Sequence, residues 1–194
     1  AAITGVTADN LSAVNQQVDS VTGAEANTSA AIQGLADSAL TGYNNALTLI
    51  SSYAQDNTQT TPMVQDYLDA GVIGVTADNL SAVNQQVDSV TGAEANTSAA
   101  IQGLADSALT GYNNALTLIS NYAQDNTQTT PTVQDYLDAG VIGVTTDNLS
   151  AVNGYIDEVE KEDVDTAGEI QSVVDAPRIF LSAVIEGDNI VNAK

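Results

Sequence analysis

Residues 74–142 read GVTADNLSAVNQQVDSVTGAEANTSAAIQGLADSALTGYNNALTLISNYAQDNTQTTPTVQDYLDAGVI. Residues 5–73 carry almost the same sequence, so the chain repeats with a period of 69 residues. Near-identical tandem copies are typical of structural arrays, whereas a catalytic site needs one unique set of residues. The two copies differ at two positions only, Ser52 against Asn121 and Met63 against Thr132.

A third, incomplete copy follows the second. It starts at Gly143 with GVTTDNLSAVN, differs from the second copy over this stretch at Thr146 alone, and diverges after Asn153. The four residues ahead of Gly5 loosely match residues 70–73, so we expect the sequence to begin inside an array.

The composition limits the possible partners. The 194 residues include 25 acidic and three basic residues, which gives a formal net charge of −22. Proteins bind nucleic acids and anionic membrane surfaces through Lys and Arg, which are almost absent here. We therefore expect no nucleic-acid partner, and the composition also argues against binding to anionic membranes. No run of about 18 apolar residues is present, so we expect no membrane insertion. The absence of Cys excludes disulfides and thiol chemistry.

Each full copy predicts three helices, of which the first is helix A, over Thr7–Val21. Thr7 is the predicted N-cap, and Asp9 lies in the first turn, where the helix dipole favours an anion. Helix A recurs at Thr76–Val90 and from Thr145. Its apolar residues follow the three- and four-residue spacing of one helix face, and they are Leu11, Val14, Val18 and Val21.

Helix B is long, spans Thr28–Ala54 and recurs at Thr97–Ala123. Its apolar spacing passes through Gly42 and its counterpart Gly111 without a change of phase. This favours one continuous helix over two helices bent at the glycine. Helix C is short, from Pro62 to Ala70, and recurs at Pro131–Ala139; its signals are a cap at Thr61, a first-turn proline and a closing Gly71.

The third copy contains helix A but only the first half of helix B, over Thr166–Asp175. If the two halves of each B helix belong to successive bundles, the last bundle is complete there. We therefore predict an all-α fold in which repeats of short A, long B and short C form an elongated array of small helical bundles. The predicted domains are 1–27 (partial first repeat, helix A), 28–96 (a bundle of B, C and A), 97–176 (a second such bundle with a short closing helix) and 177–194 (an extended tail).

The tail changes period. Residues 179–185 are apolar on both faces, as in a buried strand, and residues 186–189 (EGDN) predict a turn before a second strand. Two strands cannot bury themselves. We expect the rest of this β-like domain to come from elsewhere in the protein or from another chain.

No catalytic signature is present. The sequence has no His, no phosphate-binding glycine loop and no nucleophile motif. Asp66 and Asp69 have the spacing of a carboxylate pair on helix C, but solvent-facing acids are the preferred interpretation. We predict that the chain is not an enzyme and has no catalytic, cofactor-binding or metal-ligating residues.

Two further residue sets have alternative interpretations. An acidic cluster near the end of the chain is either a Ca²⁺ site or a solvated loop. Calcium prefers several hard oxygen ligands, but the spacing of an EF-hand is absent, so we prefer the solvated loop. The cluster consists of Glu160, Glu162, Asp163 and Asp165, with Lys161 inside it. The seven tyrosines either stack on sugars or belong to the core, and we prefer the core because rings with a polar tip suit thin bundles. They are Tyr43, Tyr53, Tyr67, Tyr112, Tyr122, Tyr136 and Tyr155.

The phrase MVQDYLDAGVIGVTADNLSAVN (63–84) resembles helical repeats of very large bacterial surface adhesins of the biofilm-associated and RTX type. The tail phrase IFLSAVIEGDNIVNAK (179–194) resembles the opening strands of the Ig-like domains in such proteins. The resemblance implies an extracellular protein of the bacterial cell surface, whose repeats are a structural spacer or stalk that projects a distal binding region for attachment or biofilm formation. It also implies neighbouring repeats of the same chain as partners, with self-association or a surface ligand bound through other regions.

Two other functions stay open. In the first, each repeat is a helical module that binds a ligand, either a glycan or a protein. The near-identity of the copies favours a scaffold over this alternative. In the second, the chain is a filament subunit whose tail is completed by a strand from a neighbour.

Overall fold

The computed structural model describes residues 2–54 and 56–176. All regular secondary structure in these ranges is helical and none is strand, so the all-α prediction is confirmed for the described residues. A short 3-10 helix, Lys161–Asp163, precedes the last α-helix. The α-helices are α1 (Leu11–Asp19), α2 (Ser29–Tyr53), α3 (Val64–Asp69), α4 (Leu80–Asp88), α5 (Ser98–Tyr122), α6 (Val133–Asp138), α7 (Leu149–Glu158) and α8 (167–176).

The chain divides into two compact units, unit 1 (Ala1–Leu109) and unit 2 (Thr110–Lys194). The division falls inside α5, so the first part of this helix belongs to unit 1 and the remainder to unit 2. The domain boundaries at residues 27, 96 and 176 stay predictions.

The two long helices have the predicted extents to within one residue at each end. Helix α2 starts directly after Thr28, whose hydroxyl oxygen accepts a 3.1 Å hydrogen bond from the Ala31 N–H. It continues through Gly42, and α5 continues through Gly111. The predicted continuity of helix B is therefore confirmed in both copies, because the unbroken apolar spacing outweighs the low helix propensity of one glycine.

The first helix of each copy starts later than predicted. The N-cap of α1 is Asn10, not Thr7, and Asp9 lies ahead of the helix instead of in its first turn. The Asn10 side chain explains the difference: its Oδ1 accepts from the Thr7 N–H at 2.8 Å and its Nδ2 donates to the Gly5 carbonyl at 3.1 Å. These bonds close a loop over the residues that were expected to form the first turn. The equivalent loops at α4 and α7 are closed by Asn79 and Asn148.

The prediction for the start of helix C was also wrong. Helix α3 has its N-cap at Met63, so Pro62 is a buried residue ahead of the helix and not its first-turn proline. The predicted end is confirmed, since Gly71 has a φ of +76°. Its N–H donates to the Leu68 carbonyl and the Val72 N–H donates to the Tyr67 carbonyl, at 2.9 and 2.8 Å. This pair of bonds satisfies carbonyls that the helix leaves free, and the positive φ favours glycine.

The core of unit 1 is divided between the two halves of α2. In its N-terminal half, Ala36 and Ala39 form a small cluster with Val14 of α1. Its C-terminal half contributes to a larger cluster with residues of α3, α4 and the first part of α5. That cluster includes Ile50, Tyr53, Tyr67, Val83, Val87, Ile101 and Ala105.

The core of unit 2 contains residues from the second part of α5 and from α6, α7 and α8. Its buried members include Ile119, Tyr122, Tyr136, Val152, Ile156, Ile170 and Val174. The predicted closing helix packs into this core through Ile170 and Val174. The strands and turn predicted for 177–194 lie outside the described residues. No helix in the described ranges has both the length and the hydrophobicity needed to cross a membrane.

Candidate functional site

The two carboxylates considered as a catalytic pair have separate partners. Asp66 accepts a 2.7 Å hydrogen bond from the Met63 N–H at the start of α3. Asp69 accepts one, also of 2.7 Å, from Nε2 of Gln65. The first contact stabilises the helix start, where the dipole favours an anion, and the second joins neighbouring turns of the helix. The geometry gives both acids roles in α3 itself.

The acidic cluster lies around the 3-10 helix between α7 and α8. Lys161 points out of it and donates to the side-chain oxygen of Asn121. A hydrogen bond with Glu169 and the charge of that carboxylate raise the pKa of Asp165. In residues 2–54 and 56–176, no group of three or more acidic side chains is arranged to hold a metal ion.

The tyrosines are core residues, as preferred, with one exception. Six of them are buried, with at most 8% of each residue exposed: Tyr43, Tyr53, Tyr67, Tyr112, Tyr122 and Tyr136. Tyr155 is 38% exposed, so the core prediction was wrong for this residue. The repeat period aligns Tyr155 with Gln86, a surface position that the third copy has changed to an aromatic residue.

A buried polar network joins α3 to α4. The Tyr67 hydroxyl donates to Oδ1 of Asn84 at 2.6 Å, and Nδ2 of Asn84 donates to the Pro62 carbonyl at 3.0 Å. Tyr67 has no exposed surface and Asn84 is 6% exposed. A buried polar group without a hydrogen-bond partner lowers the free energy of unfolding. Loss of any member of this network would therefore leave a buried polar group of another member unpaired. Unit 2 has the same network in Tyr136, Asn153 and Pro131, with distances of 2.6 and 2.9 Å.

Burial has an electrostatic consequence for the two network tyrosines. It raises the pKa of Tyr67 well above the usual value of 10.0, and the neighbouring Tyr53 and Asp66 add to the shift. The pKa of Tyr136 is raised in the same way. Desolvation disfavours the phenolate, so both hydroxyls stay protonated as donors to Asn84 and Asn153.

A second recurrent contact attaches the link between repeats to helix B. In unit 1, the side-chain amide of Gln102 accepts from the Ile73 N–H at 2.9 Å and donates to the Ile73 carbonyl at 3.2 Å. Both backbone groups of an exposed link residue are thereby paired. Gln33 contacts Thr4 in the same manner, and Gln171 contacts Ile142.

Unit 1 also contains an open polar groove among α1, α2 and α3. Amide, hydroxyl and carboxylate side chains line much of it, including Gln16, Gln17, Ser38, Gln65 and Asp69. No aromatic side chain lines this groove, so it offers hydrogen-bonding groups without a stacking platform.

Sequence reasoning missed the Asn84 network, although a signal was present. Asn84 follows Leu80 by four residues and precedes Val87 by three, so it interrupts the apolar face of helix A with an amide. An amide at such a position requires a buried partner. The partner could not be identified from the sequence, because the helix that faces Asn84 is fixed by tertiary packing.

Comparison with protein-family models, curated proteins and solved structures found no match to this chain.

Proposed function

We propose that this chain is a structural spacer, a set of stalk repeats in an extracellular bacterial surface adhesin that project a distal binding region. In this proposal the 69-residue copies form an elongated array, and the tail opens an Ig-like domain. The partners are neighbouring repeats of the same protein, and the chain itself carries out no catalysis.

The observation that carries the proposal is the position of α2 in unit 1. One continuous helix of 25 residues contributes Ala36 and Ala39 to one cluster and Ile50 and Tyr53 to another. A helix that belongs to two clusters joins them without an intervening linker. A spacer requires such a connection, since flexible linkers would let successive bundles collapse onto each other.

Three further features support a structural role. The Tyr67–Asn84 network and the Gln102–Ile73 contact fix α3 and the link between repeats, and both recur at positions 69 residues away. The acidic surface, with a formal charge of −22, disfavours collapse and self-association. The paired roles of Asp66 and Asp69 leave no free carboxylate pair on α3.

The proposal is tested by adding whole copies. Chains with one and two extra copies of residues 5–73, placed directly ahead of Gly5, are compared with the parent by small-angle X-ray scattering. We expect the maximum dimension to grow by a constant increment per copy. A parent radius of gyration near the roughly 16 Å expected for a compact chain of this length, growing only slowly with added copies, would contradict the spacer.

The extracellular location needs a separate experiment. In the source bacterium, an antibody against the repeat should label intact, non-permeabilised cells. Labelling only after permeabilisation would contradict the surface location, whatever the shape of the array.

A second candidate function is a ligand-binding module. The polar groove of unit 1, with Gln16, Gln65 and Asp69 in its lining, is the observation that favours it. A glycan array probed with the purified chain tests this alternative, with a Gln16→Ala, Gln65→Ala double variant as the control. Filament formation through the tail is checked by measuring the molar mass in solution over a range of protein concentrations.

A further inference from the structure

The three A helices of the chain have the same apolar face but different coverage. On α4, Asn84 is 6% exposed and Val87 is fully buried. On α7, the equivalent Asn153 is 5% exposed and Ile156 is fully buried. On α1, the corresponding Asn15 is exposed. Val18 is only partly buried, and 46% of Leu11 is exposed.

The open face of α1 is specific to one side of the helix. Val14, on the side toward α2, is 6% exposed, as expected from its contact with the Ala36 and Ala39 cluster. The other side forms an open concavity lined by Asn15, Val18 and Val21. The side of α1 that carries Val14 is therefore covered, as in α4, whereas the side that carries Asn15 and Val18 is open.

The rest of the chain identifies what covers this side elsewhere. In unit 1, Asn84 of α4 bonds to Tyr67 and to the Pro62 carbonyl, and Val87 shares a core cluster with Ile50 and Tyr53. These covering residues come from the C-terminal half of a B helix and from the following C helix.

We infer that the open face of α1, formed by Leu11, Asn15 and Val18, is a docking surface for the second half of a B helix and the C helix of another copy of the repeat. The occupant has the sequence of residues 43–72 and is supplied by the same polypeptide. Its tyrosine hydroxyl donates to Asn15, and Asn15 donates to the carbonyl of its proline. The inference rests on the part of the proposed function that makes neighbouring repeats partners, and it names the surface and the residues through which they bind.

The chemistry of the face selects this occupant over a general apolar partner. An amide placed between apolar residues disfavours a purely apolar cover, because burying it unpaired costs free energy. The B–C helix pair supplies both a hydroxyl donor and a carbonyl acceptor at the spacing that Asn84 and Asn153 use. The same residues elsewhere in the chain thus define the geometry of the missing contact.

The test lengthens the full chain by one copy of residues 5–73, inserted directly ahead of Gly5, and introduces Asn15→Ala in the parent and in the lengthened chain. In the parent, Asn15→Ala should leave the urea midpoint unchanged. In the lengthened chain, it should lower the midpoint as much as Asn84→Ala does. The matched control is the equivalent asparagine of the added copy, which is now the terminal one and should tolerate alanine without loss.

A second readout does not require a substitution. In the lengthened chain, the side-chain amide protons of Asn15 should exchange with solvent as slowly as those of Asn84, whereas in the parent they should exchange rapidly. The inference is overturned if Asn15→Ala does not change the urea midpoint of the lengthened chain, or if the added residues contribute no helix to the circular dichroism spectrum. It is also overturned if Asn15→Ala already destabilises the parent in a manner that depends on protein concentration. The last outcome would mean that a second molecule covers the face.

Discussion

The Tyr67 hydroxyl lies 2.6 Å from Oδ1 of Asn84, and this hydrogen bond joins α3 to α4 inside the core of unit 1. Tyr67→Phe removes the donor while leaving the Asn84 oxygen buried. We expect a loss of about 1–3 kcal/mol in the free energy of unfolding, because an unpaired buried acceptor keeps its full desolvation cost. Urea unfolding of the variant beside the parent measures the loss.

The matched control for that substitution is Tyr155→Phe, since Tyr155 is 38% exposed and belongs to no such network. It should change stability by less than about 0.5 kcal/mol. Combining Tyr67→Phe with Asn84→Ala should cost less than the sum of the two single changes, since they remove the same bond. Strict additivity would show that the two side chains act independently.

High pH should unfold the chain through the same tyrosines. The pKa of Tyr67 and Tyr136 is raised by burial above the unfolded value of 10.0, so the unfolded state loses these protons first. The stability that depends on the protonated hydroxyls is then fully present below about pH 10 and falls as the pH rises beyond it. Thermal unfolding at about pH 9 and about pH 11 should show the decrease.

The tyrosinate absorbance separates this mechanism from general alkaline denaturation. Tyr67 and Tyr136, whose pKa is raised by burial, should lose their protons only together with the loss of helical circular dichroism. If the rise in tyrosinate absorbance is complete before any helical circular dichroism is lost, the buried network does not control the alkaline transition.

The substitution Met63→Thr should stabilise unit 1. At the equivalent cap of α6, the Thr132 hydroxyl accepts from the Asp135 N–H at 3.3 Å, and Asp135 accepts from the Thr132 N–H at 2.7 Å. Met63 provides only the second of these contacts, and its side chain is 64% exposed. Restoring the reciprocal pair should add about 1 kcal/mol in urea unfolding.

The reverse change, Thr132→Met, is the control and should destabilise unit 2 by a similar amount. Met63→Val distinguishes capping from a general preference for β-branched residues, since valine has no hydroxyl and should give no gain. An equal gain from Thr and Val at position 63 would contradict the capping explanation.

The extent of helix B and the end of helix C could both be predicted from the sequence. Helix B was predictable to within one residue because a long unbroken apolar spacing coincides with a cap residue, Thr28. The end of helix C was predictable because Gly71 suits the positive φ that terminates a helix. Both signals are local, and both depend on strong single-residue preferences.

The errors have a different physical origin. Thr7 was expected to cap α1, but the side chain of Asn10 closes a loop over that turn, and the competition between two good cap residues depends on their geometry. Pro62 was expected inside helix C, but its carbonyl is needed as an acceptor for Asn84. The first error therefore depends on a local contact, whereas the second depends on a contact between residues 22 apart, Pro62 and Asn84, which belong to successive copies of the repeat.

The last prediction concerns the glycine of α5 next to the division between the two units. Gly111 has no positive φ and lies within a continuous helix, and a Cβ added there would lie 3.9 Å from Cγ of Asp138, an ordinary van der Waals distance. Gly111→Ala should therefore stabilise the protein by up to about 1 kcal/mol, because alanine restricts the unfolded chain and favours helix. Urea unfolding measures the gain.

Two other glycines provide the controls for this experiment. Gly103 lies in the same helix with nothing within 4 Å of an added Cβ, so Gly103→Ala reports the gain from helix propensity alone. Gly71→Ala should instead destabilise, since Gly71 has a φ of +76° and its Cβ would approach Oγ of Ser98 to 3.2 Å. A loss of stability in Gly111→Ala like that in Gly71→Ala, with a gain in Gly103→Ala, would mean that α5 is broken at Gly111. The spacer would then consist of bundles connected by flexible joints, because the continuous helix B that joins successive clusters in our proposal would be absent there.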